Sequence, residues 1–161
     1  MKKMLMLAPA LLLAATTVQA QAANPRGEAK LELDGQAISI EYGRPSLRGR
    51  DMLGQAGVGQ TWRMGADGAT KLVTSAPLHF GETEVAAGEH VLRAKKVDAD
   101  RWHLVIVGEG ESTQEVPFTP SQGDESVEEF TIDLAATGDT TGALVLSWGT
   151  AVLEAPFSLK K

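Results

Sequence analysis

Apolar and polar residues alternate with a period of two along several short segments of this chain. In the clearest segment, Phe130, Ile132 and Leu134 alternate with polar neighbours, and segments 102–107 and 144–148 show the same pattern. Such alternation is typical of antiparallel strands that have one face in the core and the other in solvent. The pattern therefore predicts a chain built mainly from strands.

Turn-forming residues separate these segments. Asp34 and Gly35 lie between two alternating runs, and an Asp-Gly pair tolerates the positive φ of a type I′ hairpin turn. No sustained helical stripe follows the first 20 residues, apart from a candidate helical turn over 46–53. Eight or nine short strands with frequent turns predict an all-β fold, namely a single-domain antiparallel β-sandwich or a small barrel-like sandwich.

The segment 108–123 is rich in Glu, Ser, Thr, Gly and Pro. This composition predicts an exposed connection, with an edge strand over 116–119. Pro117 and Pro120 fit an edge strand, because a missing N–H there breaks no ladder hydrogen bond. The sequence shows neither an internal repeat nor a second domain.

The N-terminal segment has the features of a secretory signal peptide. Lys2 and Lys3 form a basic region, residues 4–18 are apolar, and small residues provide cleavage patterns near positions 20–22. A membrane anchor needs about 20 apolar residues, and this run is shorter. The sequence therefore predicts a cleaved signal peptide over 1–20 and a single β-sandwich domain over 23–161. It also predicts a periplasmic or secreted protein with no membrane span in the mature chain.

The predicted mature chain is acidic and contains no cysteine. Without Lys2 and Lys3 it has 13 basic and 21 acidic residues, which gives a formal charge of −8. Nucleic acids and anionic membrane surfaces require a positive footprint, so this balance argues against both as main partners. Without cysteine no disulfide and no lipoprotein acylation site exist, and an exported domain must rely on its hydrophobic core.

The most unusual composition lies in residues 42–70, called the arginine segment below. It contains four of the seven arginines and only two acidic residues, inside a chain whose formal charge is −6. Guanidinium groups suit carboxylates, phosphates and sulfates, and Trp or Tyr rings stack on guanidinium groups or sugars. Glycines in the segment allow positive φ or close backbone approach. The candidate ligand-binding residues are Tyr42, Arg44, Arg48, Arg50, Trp62, Arg63, Asp67 and Thr70.

Two roles remain open for these arginines. The first is a pocket for a small anionic ligand, an envelope glycan or a protein partner. The second is structural: the arginines pair with Glu41, Asp51 and Asp67 and attach a long loop to the sandwich. Oligomerisation through an edge strand is a further possibility that no single residue decides.

The histidines and serines do not form the patterns of metal or nucleophilic sites. His79, His90 and His103 fall in strand segments without the spacing of a metal motif, and we expect His79 and His103 to face outward. No Gly-x-Ser-x-Gly elbow exists, and Ser46 has no local base. We therefore predict neither a metal site nor a cofactor.

Several motifs rich in Gly, Arg and aromatic residues follow one another along the chain: Arg44-Pro45-Ser46, Gly49-Arg50, Gly54, Trp62-Arg63-x-Gly65-Ala66, Ala69-Thr70, Ala87-Gly88, Trp102, Phe130-Thr131-Ile132, Leu146-x-Trp148 and Pro156-Phe157. In this order they resemble the DUF2911 family of bacterial proteins. The resemblance implies an exported single-domain β-protein and carries no catalytic assignment. This chain departs from the family pattern at Asp67, Gly68 and His90, and its segment 108–122 is shorter.

The sequence favours an exported, non-enzymatic binding or structural module with residues 44–70 as its ligand or partner surface. The alternative is a hydrolase-like enzyme in which Asp67 acts as a base while Arg50 or Arg63 stabilises negative charge. That alternative requires Asp67 to lie in a concave pocket.

Overall fold

Eleven strands form two antiparallel sheets in the computed structural model, which describes residues 22–159. The strands are β1 (Arg26–Leu33), β2 (Gln36–Gly43), β3 (Thr61–Trp62), β4 (Thr70–Thr74), β5 (Leu78–Phe80), β6 (Thr83–Val85), β7 (Gly88–Lys96), β8 (Trp102–Val107), β9 (Thr113–Pro117), β10 (Thr119–Ala136) and β11 (Thr141–Ser158). The one helical element of the described residues is a 3-10 turn at Glu109–Glu111. The predicted signal peptide over 1–20 lies outside the described residues.

The larger sheet has the strand order β1-β2-β4-β7-β8-β9, and β3 pairs with β7 beyond the end of β4. The smaller sheet has the order β10-β11-β5-β6. The inward-facing side chains of both sheets form one hydrophobic core, in which Ile40, Leu92, Leu104, Phe130 and Leu146 have no exposed surface. The prediction of an all-β sandwich is therefore confirmed.

The hairpin predicted at Asp34 and Gly35 joins β1 to β2. Leu33 pairs with Gln36, and φ is 48° at Asp34 and 72° at Gly35. Positive φ at both central residues is the condition for a type I′ turn, whose twist matches that of the strands. The local Asp-Gly signal was thus sufficient to place this turn.

Two segments differ from the prediction. The candidate helical turn over 46–53 contains isolated hydrogen-bonded turns and no helix, for example Arg50 N–H to Leu47 O at 3.1 Å. The segment 108–123 is mostly exposed, as predicted, but most of it is strand rather than an irregular connection. Its residues 113–117 form the edge strand β9, somewhat earlier than predicted, and β10 begins two residues after β9 ends.

The long β10–β11 ribbon contains the irregularity that positions the site. From Gln122 to Thr131 the register of β10 advances nine residues, while its partners in β11, from Ala151 to Ser147, span only four. Five residues of β10 are therefore extra, and they form bulges on either side of Val127. Bulged residues leave backbone N–H and C=O groups without partners in the neighbouring strand.

An aromatic cluster of Tyr42, Trp62, Phe130 and Trp148 lies beneath these bulges. The ring centroid of Phe130 is 5.7 Å from Tyr42, 5.0 Å from Trp62 and 5.5 Å from Trp148, always in edge-on geometry. Trp62 stacks on Trp148 at 5.5 Å. Because two rings come from each sheet, the cluster holds the two layers together at this end of the sandwich.

We predict that Phe130→Ala lowers the free energy of unfolding by about 3–5 kcal/mol, the usual cost of truncating a buried Phe. Phe130 is fully buried and contacts all three other rings of the cluster. Urea denaturation would measure the change. The control is Val73→Ala, because Val73 is 45% exposed and its truncation should change stability by less than about 0.5 kcal/mol. Equal effects of the two substitutions would contradict the role given to the cluster.

Candidate functional site

The first part of the arginine segment pairs with the bulged part of β10. Leu47 N–H donates to Glu128 O, and Phe130 N–H donates to Pro45 O, both at 2.9 Å. The side chain of Glu128 also accepts the N–H of Arg48, at 2.9 Å. The loop therefore supplies partners for backbone groups that the β11 backbone does not pair, although the indole N–H of Trp148 in β11 also donates to Glu128 O, at 3.3 Å. The irregularity of β10 thus fixes the path of the loop.

The side chain of Arg44 stabilises this contact between the loop and β10. Its guanidinium donates to Phe130 O at 3.4 Å and to the Thr131 hydroxyl at 3.3 Å, and it pairs with the Glu129 carboxylate at 3.1 Å. The Arg44 side chain therefore bonds to β10. This is the structural role, one of the two roles that the sequence left open. The partners differ from those expected, because among residues 22–159 no arginine forms an ion pair with Glu41, Asp51 or Asp67.

Tyr42 and Thr70 lie in the interior, 3% and 0% exposed. The Tyr42 hydroxyl donates to Ile132 O at 3.1 Å, and the Thr70 hydroxyl donates to Met64 O at 2.6 Å. Both hydroxyls therefore stabilise the two ends of the arginine segment. Neither side chain faces the surface on which we expected a ligand.

A close backbone approach fixes the second half of the segment. A Cβ atom on Gly43 would lie 2.0 Å from Ala66 O, so only glycine permits this contact between β2 and the bend at 64–68. Gly65, with φ of 147°, completes the approach from the other side. The glycines at these two positions thus serve packing rather than ligand binding.

Asp67 lies on this bend and is exposed, with φ of 67°. Its carboxylate accepts the backbone N–H of Asn24 at 2.7 Å and its side-chain amide at 3.2 Å. Within the described chain, the Arg63 side chain donates only to the backbone oxygen of Asp67, at 3.4 Å. The enzyme alternative required Asp67 in a concave pocket, and the structure instead places it outside both clefts described below.

The larger cleft has a volume of about 820 Å³ and lies between residues 47–54, the end of the 99–102 turn and the β10–β11 ribbon. We call it the ribbon cleft. Its apolar walls include Leu53, Trp102 and Leu153. A cavity of this size, with apolar walls and a few polar groups, is in the range of small-molecule sites.

Two cations line the ribbon cleft. Arg50 is exposed; its Nε donates to Leu47 O at 3.1 Å, and its terminal nitrogens bond to no described residue. Lys96 is only 6% exposed, and its ammonium donates to Leu53 O and Gly54 O at 3.2 Å each. The same ammonium lies 5.7 Å from the centroid of Trp102. No carboxylate among residues 22–159 forms an ion pair with Lys96, which makes it a buried cation held by neutral groups.

Three carboxylates also line the ribbon cleft, those of Asp51, Asp100 and Glu128. Asp51 accepts the N–H of Gly54 at 2.8 Å, and Glu128 accepts that of Arg48. The cleft therefore offers acceptors as well as donors to a bound molecule.

A second depression of about 450 Å³, called the outer cleft below, lies on the solvent face of the larger sheet and is lined by Thr61, Arg63, Ala69, Val91 and Arg93. Arg50 and Arg63, which we had placed in one site, thus line different clefts. Trp62 is half-buried and stacks on Trp148, and it lines neither of these two clefts. Arg48 is exposed at positive φ, and its side chain makes no hydrogen bond or ion pair within the described chain.

The histidines are partly or fully covered. His79 lies 3.8 Å from the Glu84 carboxylate, and His103 lies 3.0 Å from Glu115. The Lys95 ammonium and then His103 hold the pKa of Glu115 below its usual range.

Residues 22–159 contain no group of three or more His, Asp or Glu placed to hold a metal ion. Within the same residues, no helix has the length and apolar character to cross a membrane.

A protein-family description, "Protein of unknown function (DUF2911)", matches residues 24–157. The chain belongs to the DUF2911 family. The match confirms the resemblance inferred from the motifs, and the region it covers includes the arginine segment and both clefts of this DUF2911 domain. Comparison with curated proteins and with solved structures gave no match.

Sequence reasoning missed Lys96 and Arg93, which belong to β7 and lie far from the arginine segment along the chain. A signal for Lys96 existed. The inward positions of β7 are His90, Leu92, Ala94 and Lys96, so the alternation places a lysine where an apolar residue is expected. Arg93 carries no such signal, because an arginine at an outward strand position is ordinary.

We predict that Arg44→Ala lowers the free energy of unfolding by about 1–3 kcal/mol, since it leaves a carbonyl and a carboxylate without their charged partner. Arg48→Ala is the matched control and should change stability by less than about 0.5 kcal/mol, because no described group pairs with its side chain. Chemical denaturation of both variants would measure the difference. Equal losses would show that the guanidinium of Arg44 does not hold the loop.

Proposed function

We propose that this DUF2911 protein is a non-enzymatic binding module and that the ribbon cleft is its ligand site. The ligand class that best fits the cleft is a small hydroxylated carboxylate, such as a uronic acid or another sugar acid. The observation that carries the proposal is the buried ammonium of Lys96 at the cleft wall, which has no carboxylate partner in the described chain.

A buried cation is unfavourable unless nearby groups compensate for its lost hydration. Two carbonyl oxygens and the face of Trp102 provide part of this compensation. An ammonium has three donors, and the described residues accept two of them. A carboxylate in the ribbon cleft would take the third donor and neutralise the charge.

Arg50 provides the second point of attachment for the anionic group. Its Nε is held by Leu47 O, which orients the guanidinium, and its terminal nitrogens are available on the cleft side. A guanidinium oriented in this way loses little conformational freedom when it binds a carboxylate.

The carboxylates of Asp51, Asp100 and Glu128 favour a ligand that also carries donors. Hydroxyl groups would donate to these oxygens, whereas a simple inorganic anion would meet repulsion there. The apolar wall formed by Leu53, Trp102 and Leu153 suits the C–H face of a sugar ring. The mixed lining therefore supports a hydroxylated carboxylate over a bare anion.

The proposal also places the protein in the periplasm or outside the cell. The basic N-terminal pair, the apolar run over 4–18 and the small residues near 20 support export. In that location sugar acids of envelope or extracellular glycans are available as ligands.

Titration with glucuronate, followed by isothermal calorimetry and by amide chemical shifts, tests the site. We expect Arg50→Gln to weaken glucuronate binding at least about tenfold, the scale of one charge-assisted hydrogen bond. Arg48→Gln is the control, since Arg48 is two residues away and does not line the cleft. Glucose, which lacks the carboxylate, should bind more weakly than glucuronate to the wild type.

Arg48→Gln should keep the melting temperature of the wild type, because no described residue bonds to its side chain. Arg50→Gln should lower it only slightly, because Leu47 O keeps the backbone N–H of residue 50 as a donor when the Nε bond is lost. Equal binding by Arg50→Gln and the wild type, or shifts that fall outside the ribbon cleft, would overturn the proposal. Lys96→Met is less informative, because its ammonium also holds the carbonyls of Leu53 and Gly54.

A further inference from the structure

We infer a second anion site, separate from the ribbon cleft, in which Arg63 and Arg93 bind a small divalent oxyanion such as a phosphate group in the outer cleft. The inference does not depend on the proposed function. It rests on an interruption in the larger sheet and on the distribution of charge around it.

β3 and β4 lie along the same edge of β7, one after the other. β3 pairs Thr61 with Lys95 and Trp62 with Ala94, whereas the ladder of β4 begins at Thr70, opposite Leu92. The residues between the two strands, 63–69, leave the ladder as a loop. Arg93 of β7 therefore lies opposite the interruption.

Arg63 and Arg93 come together at the start of this interruption. The pairing of β3 with β7 ends at Trp62 and Ala94, and Arg63 and Arg93 are the next residues along the two segments. Both side chains line the outer cleft, which is large enough for a ligand. Their like charges repel each other, and an anion bound between them would relieve this repulsion.

Three other basic side chains on this face are paired with carboxylates. Lys71 pairs with Glu89 at 2.8 Å, Lys95 pairs with Glu115 at 2.8 Å, and His103 also contacts Glu115. By contrast, neither Arg63 nor Arg93 has a carboxylate within 4.0 Å in the described part of the chain. Among residues 22–159, the side chain of Arg63 bonds only to the backbone oxygen of Asp67.

No acidic side chain of the described residues lines the outer cleft. In this respect it differs from the ribbon cleft, where three carboxylates favour a ligand that carries donors. Two guanidinium groups with no neighbouring acid match a compact, doubly charged oxyanion, because each fork donates two parallel hydrogen bonds to a phosphate or sulfate.

The loop that follows Arg63 fixes the backbone position of this residue. The carbonyl of the next residue, Met64, accepts the Thr70 hydroxyl at 2.6 Å, and Ala66 packs against the bare Cα of Gly43. A preorganised backbone reduces the entropy lost when the anion binds.

Titration with inorganic phosphate at low ionic strength tests the inference, with binding followed by amide chemical shifts and by melting temperature. For the wild type we expect shifts at Thr61, Arg63, Ala69, Val91 and Arg93, and a melting temperature that rises with phosphate concentration. For Arg63→Ala and Arg93→Ala we expect dissociation constants at least ~10-fold higher. The double variant should not respond at all.

A stability measurement separates binding from a merely structural role. In buffer without phosphate or sulfate, Arg93→Ala should melt no lower than the wild type, because it removes a repulsive neighbour. A large loss of stability in Arg93→Ala would instead assign the arginine to the fold and would overturn the inference.

Lys30→Ala is the charge control, since Lys30 lies on β1 and pairs with Glu28. It and Arg50→Gln should both keep the phosphate response of the wild type. A response lost in Arg50→Gln, or equal in Lys30→Ala and the double variant, would overturn the second site. Tighter binding of glycerol phosphate than of inorganic phosphate would identify a phosphomonoester as the ligand, and the reverse order would identify the free ion.

Discussion

The contact between the loop after Gly43 and the bulged part of β10 is the constraint on which the rest of the site depends. β10 has more residues than β11 can pair between Gln122 and Thr131, so part of its backbone needs other partners. Pro45 O and Leu47 N–H provide two of them, and the Arg48 N–H adds a bond to the side chain of Glu128. The same contact brings the loop over the aromatic cluster and closes one side of the ribbon cleft.

The cations of this acidic protein fall into two groups with different physical roles. Arg44, Lys71 and Lys95 each have a carboxylate partner and stabilise contacts between neighbouring parts of the chain. Lys96 and Arg93 have no such partner in the described chain. A buried positive charge without an anionic partner, such as that of Lys96, costs free energy in the empty protein, and a bound anion would recover it. The two clefts are therefore the places where function is to be sought.

The predictions succeeded where the deciding interaction is local. The Asp34-Gly35 turn depends on the φ preferences of two adjacent residues, and the alternation in β2 and β10 depends on a period of two. They failed where a partner lies far along the chain. In the structural interpretation, one of the two left open, the arginines would pair with Glu41, Asp51 and Asp67, but the carboxylate partner of Arg44 is Glu129, 85 residues later. The candidate helical turn over 46–53 failed for the same reason, because backbone pairing with Glu128 begins the loop in an extended form.

By itself, the sequence determined the sandwich class, the first hairpin and membership of the DUF2911 family, since these depend on local preferences and on the order of motifs. It also identified residues 42–70 as the unusual segment. Only the tertiary structure decided which cations pair with a carboxylate of the chain and which line a cleft without such a partner. That division depends on the register shift in β10 and on the break between β3 and β4, and both arise from pairing between distant strands. Local patterns do not reveal such pairing, because the sequence around an arginine does not show whether its partner is a distant carboxylate or a ligand.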